Sequence, residues 1–222
     1  MLHVTRDNKF IVFEGADGSG KSTQAKLLND YLEKKGYHTK LLDFPRYEES
    51  HFGALVRRLL NGEFGKFEKV HPYLAVLPYM IDQALMAPHI KGWLSKGFFV
   101  LSDRYFTSNF GHQLAKLKTT EERDQMRQWL FEAGYGELGI IKQDLVLVCD
   151  VPPFASEKLI KGRKTKKMDA AEKNKKHQSE SYKEYIKMTE LYPDWIRVDC
   201  VRGEKILSPL QIHQQILNIL GL

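Results

Sequence analysis

A glycine-rich segment near the start of the chain has the residue types and spacing that bind phosphate. It fits the pattern GxxxxGK followed by Ser or Thr, and it consists of Gly15, Ala16, Asp17, Gly18, Ser19, Gly20, Lys21 and Ser22, with Thr23 directly after it. The glycines let backbone N–H groups surround a β-phosphate, and Lys21 can reach the β- and γ-phosphate oxygens. Since the Ser22 hydroxyl can ligate Mg²⁺, this P-loop predicts a site for a magnesium-bound nucleoside triphosphate.

Two arginines and an aspartate follow predicted strands and could act on a second phosphate. Arg46 follows the second predicted strand, and Asp103 and Arg104 follow the third, so all three belong at the carboxyl edge of the sheet, beside the P-loop. Guanidinium groups bind phosphate oxygens in bidentate fashion, which suits an acceptor that is itself a monophosphate. Such an acceptor is largely ionised at pH 7, its second pKa being about 6, so positioning and electrostatics can carry catalysis without a base. We expect Asp103 to organise Mg²⁺, directly or through water.

Five short runs predict the strands that position these groups. They are Phe10–Phe13, Lys40–Phe44, Phe98–Leu101, Leu145–Cys149 and Trp195–Cys200. Helical patterns lie between the runs, and strands that alternate with helices predict a parallel α/β sheet. The last run alternates in polarity, which indicates an edge strand. Residues 51–96 are mostly helical in pattern, with a break near Asn61-Gly62 and expected kinks at Pro72, Pro78 and Pro88.

The composition indicates one compact domain spanning residues 1–222. Hydrophobic residues make up 42% and charged residues 28%, which allows a sizeable core. The formal net charge of +6 favours anionic partners, but it does not choose among nucleic acids, membranes and nucleotide phosphates. Cys149 and Cys200 lie in apolar runs, which favours a reducing compartment over a disulfide framework or a zinc site. We find no signal-peptide pattern and no apolar run of bilayer length, so we expect a cytosolic protein.

A basic run, Lys161–Lys167, follows the fourth predicted strand. The run is typical of a mobile loop; the rival interpretation is a nucleic-acid patch, although the run is short and has no interleaved aromatic residues. Other nucleotide-binding classes fit less well. A switch GTPase needs an NKxD motif, and the segment Asn174-Lys175-Lys176-His177 lacks the aspartate.

The motifs and their order resemble the thymidylate kinase family over nearly the whole chain. Residues 13–24 resemble the family's extended P-loop, Phe44-Pro45-Arg46-Tyr47 resembles its phosphate-binding segment, and residues 103–109 resemble its DRYxxSN segment. The resemblance implies the three-layer α/β fold of P-loop NTPases, with a five-stranded parallel sheet in the order 2-3-1-4-5 flanked by helices and a short lid at about residues 161–176. It also implies ATP-dependent phosphorylation of dTMP to dTDP, Mg²⁺ as the cofactor, and a homodimer.

The same resemblance implies roles for residues of the acceptor site. Arg46 and Arg104 would hold the acceptor phosphate, and Asp17 would contact the deoxyribose. Tyr79 would stack on thymine, with Asn109 near the base. The acceptor site would also include Tyr47, Gln83, Ser108 and His112.

The lid is implied to complete the catalytic machinery. Gly18 stands where some members of the family have a basic residue, and in such members the lid supplies an arginine. Arg163 is our candidate, with Lys164 second, and it would stabilise the transferring group together with Lys21. Asp169-Ala170-Ala171-Glu172 resembles the DxxE element of the lid.

Three residues depart from the family pattern. Gln83 stands where an arginine usually donates to a thymine carbonyl, His112 stands where tyrosine is common near the sugar, and Ala171 replaces an aromatic residue of some members. Because an amide both donates and accepts, Gln83 leaves open a different nucleoside monophosphate as the acceptor. His112 likewise leaves open the discrimination against ribose. Alternatively, water or neighbouring residues supply the missing contacts.

Three other functions remain open on the sequence alone. A deoxynucleoside kinase would need a carboxylate base beside the acceptor hydroxyl, and it would phosphorylate thymidine. A non-catalytic sensor would bind ATP without turnover. A nucleic-acid-binding protein would bind DNA with a steep salt dependence. The favoured hypothesis is the monophosphate kinase, with ATP and dTMP as partners and without nucleic acid or membrane.

Overall fold

A central five-stranded parallel sheet organises the molecule. The computed structural model describes residues 9–161, 174–203 and 205–222 of the chain. The strands are β1 (Phe10–Glu14), β2 (Thr39–Asp43), β3 (Phe99–Asp103), β4 (Leu145–Asp150) and β5 (Trp195–Asp199), in the order β2-β3-β1-β4-β5. All neighbouring pairs are parallel. The predicted strand order and the predicted edge position of the fifth strand are confirmed.

The helices cover both faces of this sheet. They are α1 (Lys21–Lys34), α2 (His51–Leu60), α3 (Pro72–Ala75), α4 (Leu77–Ser95), α5 (Ser108–His112), α6 (Thr120–Leu130), α7 (Pro153–Lys161), α8 (Lys175–Leu191) and α9 (Pro209–Leu220). A small hairpin of β6 (Val201–Arg202) and β7 (Lys205–Ile206) follows β5. Pro72 and Pro78 stand in the first turns of α3 and α4 instead of kinking a longer helix, because proline lacks the N–H that the first turn leaves unbonded.

The core forms two layers because successive strand residues point to opposite faces. Phe10 and Val12 of β1 pack into one cluster, and Ile11 and Phe13 pack into the other. The second cluster contains apolar residues of α1 and α9, and it also holds the buried free thiols of Cys149 and Cys200. With both faces covered, β1 is apolar throughout its first four residues, as central parallel strands are.

The predicted lid falls mostly outside the described part of the chain. Residues 162–173, with Arg163, Lys164, Asp169 and Glu172, are not among the described residues. The helix α8 begins directly after them, and its start is capped by the Asn174 side chain, which accepts a 3.1 Å hydrogen bond from the His177 N–H. Within the described ranges, no helix combines the length and the apolar character needed to cross a membrane.

Candidate active site

The P-loop connects β1 to α1 in a conformation that requires glycine. Gly15 has φ +133°, and a Cβ added there would lie 2.7 Å from the carbonyl oxygen of Cys149 on β4. Gly20 precedes α1 in the left-handed conformation, with φ 88°. The first N–H groups of α1 therefore open toward the loop, where the helix dipole favours an anion.

Lys21 lies folded against the P-loop. Its side chain is buried, and Nζ donates to the carbonyl oxygens of Gly15 at 3.1 Å and Ala16 at 2.8 Å. Burial, and then the charge of Arg104, lower the pKa of Lys21 below its usual range. The two carbonyl groups take the place of an anionic partner for this ammonium, and a phosphate oxygen would supply that partner.

Ser22 and Asp103 meet at the end of β3. The strand register pairs Phe13 with Asp103, which brings this aspartate beside the P-loop. The Ser22 hydroxyl donates to Asp103 Oδ2, while Asp103 Oδ1 is buried and has no hydrogen-bond partner among the described residues. A buried carboxylate oxygen without a partner fits Mg²⁺, which takes few protein ligands and keeps water and phosphate as the others. The described residues form no cluster of three or more histidine, cysteine or acidic side chains that could hold a metal ion.

Arg104 turns back from the end of β3 toward the P-loop. Its φ of 62° is unusual for a residue with a side chain and costs roughly 1–2 kcal/mol. The guanidinium donates to Asp17 Oδ1 through Nη2, and Nη1 lies 3.1 Å from His112 Nε2 and 3.7 Å from Glu14 Oε2. Although burial alone would raise the pKa of Asp17, the charges of Arg104 and Lys21 lower it, so this carboxylate is ionised.

Arg46 is held by an aspartate that the sequence analysis did not identify. Asp82 of α4 is fully buried, and its carboxylate accepts from Arg46 Nε at 3.1 Å and lies 2.8 Å from Nη2. Asp82 also accepts from the Arg46 backbone N–H at 3.0 Å, and its carbonyl oxygen accepts from Nη2 at 3.0 Å. These contacts fix the loop after β2 against α4. They involve the backbone N–H, Nε and Nη2 of Arg46, but not its Nη1.

A cleft of about 590 Å³ joins the predicted nucleotide and acceptor sites. It is lined by the P-loop from Asp17 onward, and by Asp103 and Arg104. Among the predicted acceptor residues, those that line it are Tyr47, Tyr79, Gln83, Ser108, Asn109 and His112. Arg46 is not among the lining residues, and its side chain is bound to Asp82. The structure therefore brings the predicted residues together at the carboxyl edge of the sheet, except for Arg163, which lies outside the described residues.

The amide side chains of Gln83, Asn109 and Gln113 line the cleft. Gln83 is 1% exposed, and its Oε1 has no hydrogen-bond partner among the described residues. Gln113 Oε1 has none there either, while Asn109 Nδ2 donates to the Phe106 carbonyl at 2.9 Å. Because a buried amide oxygen without a partner is costly, these side chains suit a ligand with hydrogen-bonding edges, such as a nucleobase.

Glu14 and Gln178 also belong to the site, although the sequence analysis did not name them. The buried Glu14 carboxylate accepts hydrogen bonds from the side chains of Thr107, Ser108 and Tyr185. Gln178 Nε2 donates to Asp17 Oδ2 at 2.8 Å. An acidic residue directly before the P-loop was the available signal for Glu14. Gln178 lies on a distant helix, so no local pattern could reveal its contact.

The comparisons with known proteins agree with this geometry. A family model described as thymidylate kinase matches residues 13–207. A curated relative from Thermococcus kodakarensis, named probable thymidylate kinase, is 32% identical over 216 residues, which cover 95% of this chain and 96% of the relative. Another, with the same name, from Thermococcus onnurineus, is 35% identical over 217 residues, with 95% and 96% covered.

A solved structure shares the fold. The thymidylate kinase structure from Candida albicans superimposes with a TM-score of 0.73 at 23% identity, covering 96% of this chain and 91% of that one. At this identity the likeness concerns the fold, and it agrees with the five-stranded sheet described above. The family model and the full-length relatives show the family: this chain belongs to the thymidylate kinases.

Proposed function

We propose that this protein transfers the γ-phosphoryl group of ATP to dTMP and releases ADP and dTDP. The reaction is that of its family, and the favoured hypothesis from the sequence is supported over the alternative acceptors. The observation that carries the proposal is a single cleft lined by the P-loop, by Arg104 in contact with that loop, and by a set of buried amides. Such a cleft can hold a triphosphate and a monophosphate end to end.

The charged residues have distinct tasks in this reaction. A phosphate oxygen of dTMP attacks the γ-phosphorus while the bond to the ADP oxygen breaks, so negative charge must be neutralised on both sides. Lys21 exchanges the carbonyl groups of Gly15 and Ala16 for phosphate oxygens. Arg104 and Arg46 orient the acceptor phosphate, each held by an acidic partner. Arg163 is proposed as the lid cation that meets the transferring group.

Mg²⁺ is the proposed cofactor. Ser22 and Asp103 would hold it, since they lie in contact and Asp103 Oδ1 has no hydrogen-bond partner in the described structure. When bound, Mg²⁺ neutralises charge on the phosphate oxygens of ATP. The two residues keep their carboxylate and hydroxyl oxygens turned toward each other beside the P-loop.

Gln83 is the proposed reader of the thymine edge. Its Oε1 can accept from the N3–H of thymine while Nε2 donates to a ring carbonyl, which would give the buried Oε1 the partner that it lacks among the described residues. Replacing Gln83 with Leu removes both hydrogen bonds at similar volume. The KM for dTMP should then rise about tenfold with little change in the KM for ATP. An unchanged KM for dTMP would exclude Gln83 from base recognition.

A homodimer in the cytosol is also proposed. Support for the dimer comes from an apolar stripe of Leu74, Leu77, Ile81 and Leu85 on α3 and α4, in which Leu74 is 64% and Leu85 is 54% exposed. Leu85→Glu should convert the dimer to a monomer in sedimentation, whereas Leu210→Glu on α9 should not. Monomeric wild-type protein would contradict the proposal. The buried free thiols of Cys149 and Cys200 support a reducing compartment.

A coupled ADP-release assay tests the proposed acceptor. Wild-type protein with MgATP should turn over dTMP faster than dUMP, dCMP, dGMP and UMP, and it should not turn over thymidine. Lys21→Ala provides the blank. Faster turnover of another monophosphate would reassign the base site, and turnover of thymidine would indicate a nucleoside kinase.

A further inference from the structure

His112 lies between Arg104 and the helix α8. It stands at the end of α5 and is part of the cleft wall. Its Nε2 is 3.1 Å from Arg104 Nη1. Its Nδ1 is 3.3 Å from His177 Nε2 and 3.3 Å from Ser181 Oγ, both on α8. Both ring nitrogens of His112 are therefore engaged.

These contacts determine the protonation of the ring. A guanidinium group has donors only, so Nε2 of His112 must accept the hydrogen bond from Arg104. A neutral imidazole carries one N–H, which then resides on Nδ1 and donates toward His177 and Ser181. An imidazolium would instead place an N–H against the donor of Arg104 and a cation against a cation.

The surroundings favour the neutral ring. The charged and titratable groups around His112 are Arg104 and Lys21, which disfavour protonation, Asp17, which favours it, and the neighbouring His177. Burial, and then the charge of Arg104, lower the pKa of His112 well below its usual range. The uncharged ring is therefore the form favoured at neutral pH.

Aromatic contacts fix the orientation of the ring. The rings of His112 and His177 stack with centroids 5.5 Å apart and an interplanar angle of 25°. Tyr185 meets His112 edge to face at 5.8 Å, and Phe67 meets His177 in the same way at 5.7 Å. The imidazole therefore has little freedom to rotate away from Arg104.

We propose that His112 is a positioning residue for Arg104: its neutral Nδ1–H tautomer, held by His177 and Ser181, keeps Nε2 as a hydrogen-bond acceptor that aims the guanidinium at the acceptor phosphate. The contacts to Glu14 and Asp17 neutralise Arg104. The contact to His112, which is shorter than the 3.5 Å contact of Nη1 with the Tyr185 hydroxyl, sets the direction of Nη1 without adding charge. Because His177 and Ser181 lie on α8, the same contacts join this helix to the acceptor phosphate site. The role rests on the proposed function of Arg104 as a phosphate-binding group.

Three variants at position 112 separate positioning from simple packing. Phe keeps an aromatic ring and removes the acceptor, Gln places an amide oxygen near the position of Nε2, and Asn reaches only the position of Nδ1. His112→Phe and His112→Asn should raise the KM for dTMP about tenfold, since each removes a hydrogen bond to a charged group. His112→Gln should restore most of the affinity, and the KM for ATP should change less than about twofold in all three.

The opposite pattern would overturn the proposal. If the Phe variant keeps the wild-type KM for dTMP, or if Asn restores it as well as Gln does, Nε2 does not position Arg104. The Gln variant also separates positioning from misfolding. It lacks the ring, so a KM for dTMP close to the wild-type value would show that the acceptor atom is sufficient to position Arg104.

A spectroscopic measurement tests the tautomer without relying on turnover. In wild-type protein labelled with ¹⁵N-histidine, the His112 resonances are assigned by their loss in His112→Gln. Between pH 6.5 and 8, Nδ1 should show the chemical shift of a protonated nitrogen and Nε2 that of an unprotonated one. A proton on Nε2 would contradict the proposal. If the protein forms no dTDP at all, the proposed function fails, and this measurement still decides the contact between His112 and Arg104.

Discussion

Tyr185 donates a 2.9 Å hydrogen bond to the fully buried carboxylate of Glu14, at the end of the central strand β1. The same carboxylate accepts from the hydroxyl groups of Thr107 and Ser108 and from the backbone N–H of Tyr105. One acidic side chain therefore joins β1, α8 and the segment that follows Arg104. The geometry of the proposed acceptor site depends on this connection.

Stability should depend on pH through Glu14. Burial, the largest cause, raises the pKa of Glu14 in the folded protein, although Arg104 and three hydroxyl groups act in the opposite direction. The folded state then holds the Glu14 proton more tightly than the unfolded state does. The stabilising contribution of this proton is therefore complete below about pH 4.5, and it is lost as pH rises through the pKa of Glu14 in the folded state. Glu14→Gln mimics the protonated group. As pH rises from 5 to 8, the Tm of this variant should therefore fall less than the Tm of the wild type. Thermal unfolding of both proteins across this range measures the difference, and a constant Tm gap would refute the linkage.

Removing the Glu14 carboxyl altogether should be costly. Glu14→Ala leaves Thr107, Ser108 and Tyr185 without their shared acceptor, and we expect a loss of about 3 kcal/mol in the free energy of unfolding. Urea denaturation measures it. A loss below about 1 kcal/mol would mean that these hydroxyl groups find other partners.

Asp82 should control the acceptor site through Arg46. Asp82→Asn keeps the shape but removes the charge that holds the guanidinium, so we expect the KM for dTMP to rise and stability to fall by about 2 kcal/mol. The matched control is Asp30→Asn, which breaks an exposed pair with Lys26 and should change stability by less than about 0.5 kcal/mol. Steady-state kinetics and urea denaturation test both variants. Equal behaviour of the two would show that the Asp82 contact has no special role.

Two helical glycines offer a matched test of packing. A Cβ on Gly111 of α5 would lie 2.4 Å from the Tyr185 ring, whereas one on Gly92 of α4 would meet no atom of the described residues within 4 Å. Gly111→Ala should therefore destabilise the protein by about 2 kcal/mol, while Gly92→Ala should stabilise it by up to about 1 kcal/mol through helix propensity. The two Tm shifts should have opposite signs. A neutral Gly111→Ala would show that α5 and α8 can separate without cost.

Ser22 should set the metal requirement. Ser22→Ala removes one proposed oxygen ligand and frees Asp103 Oδ2 from its hydroxyl partner. We expect the Mg²⁺ concentration for half-maximal activity to rise about tenfold with the fold unchanged. Magnesium titration at fixed ATP, with circular dichroism of both proteins, measures this. An unaltered magnesium titration would remove Ser22 from the metal site.

The fold, and the meeting of the P-loop and the DRYxxSN segment at one edge of the sheet, could be predicted from the sequence because their signals are local. The P-loop motif, the strand patterns and the DRYxxSN segment each occupy a few consecutive residues, and parallel strands bring their carboxyl ends together. The partners of the arginines could not be predicted in this way. Asp82 is 36 residues from Arg46, and Gln178 is 161 residues from Asp17. Only packing of α4 and α8 against the sheet brings these pairs into contact.

The most direct test of the proposed function is to follow the phosphoryl group itself. Wild-type protein mixed with dTMP, ATP and Mg²⁺ is observed by ³¹P NMR, with Lys21→Ala as the control. The account predicts that the resonances of dTDP and ADP appear together in equal amounts, with no matching rise in inorganic phosphate, and that Lys21→Ala slows them by at least about a hundredfold. Release of inorganic phosphate without dTDP would show hydrolysis instead of transfer, and it would contradict the proposed function.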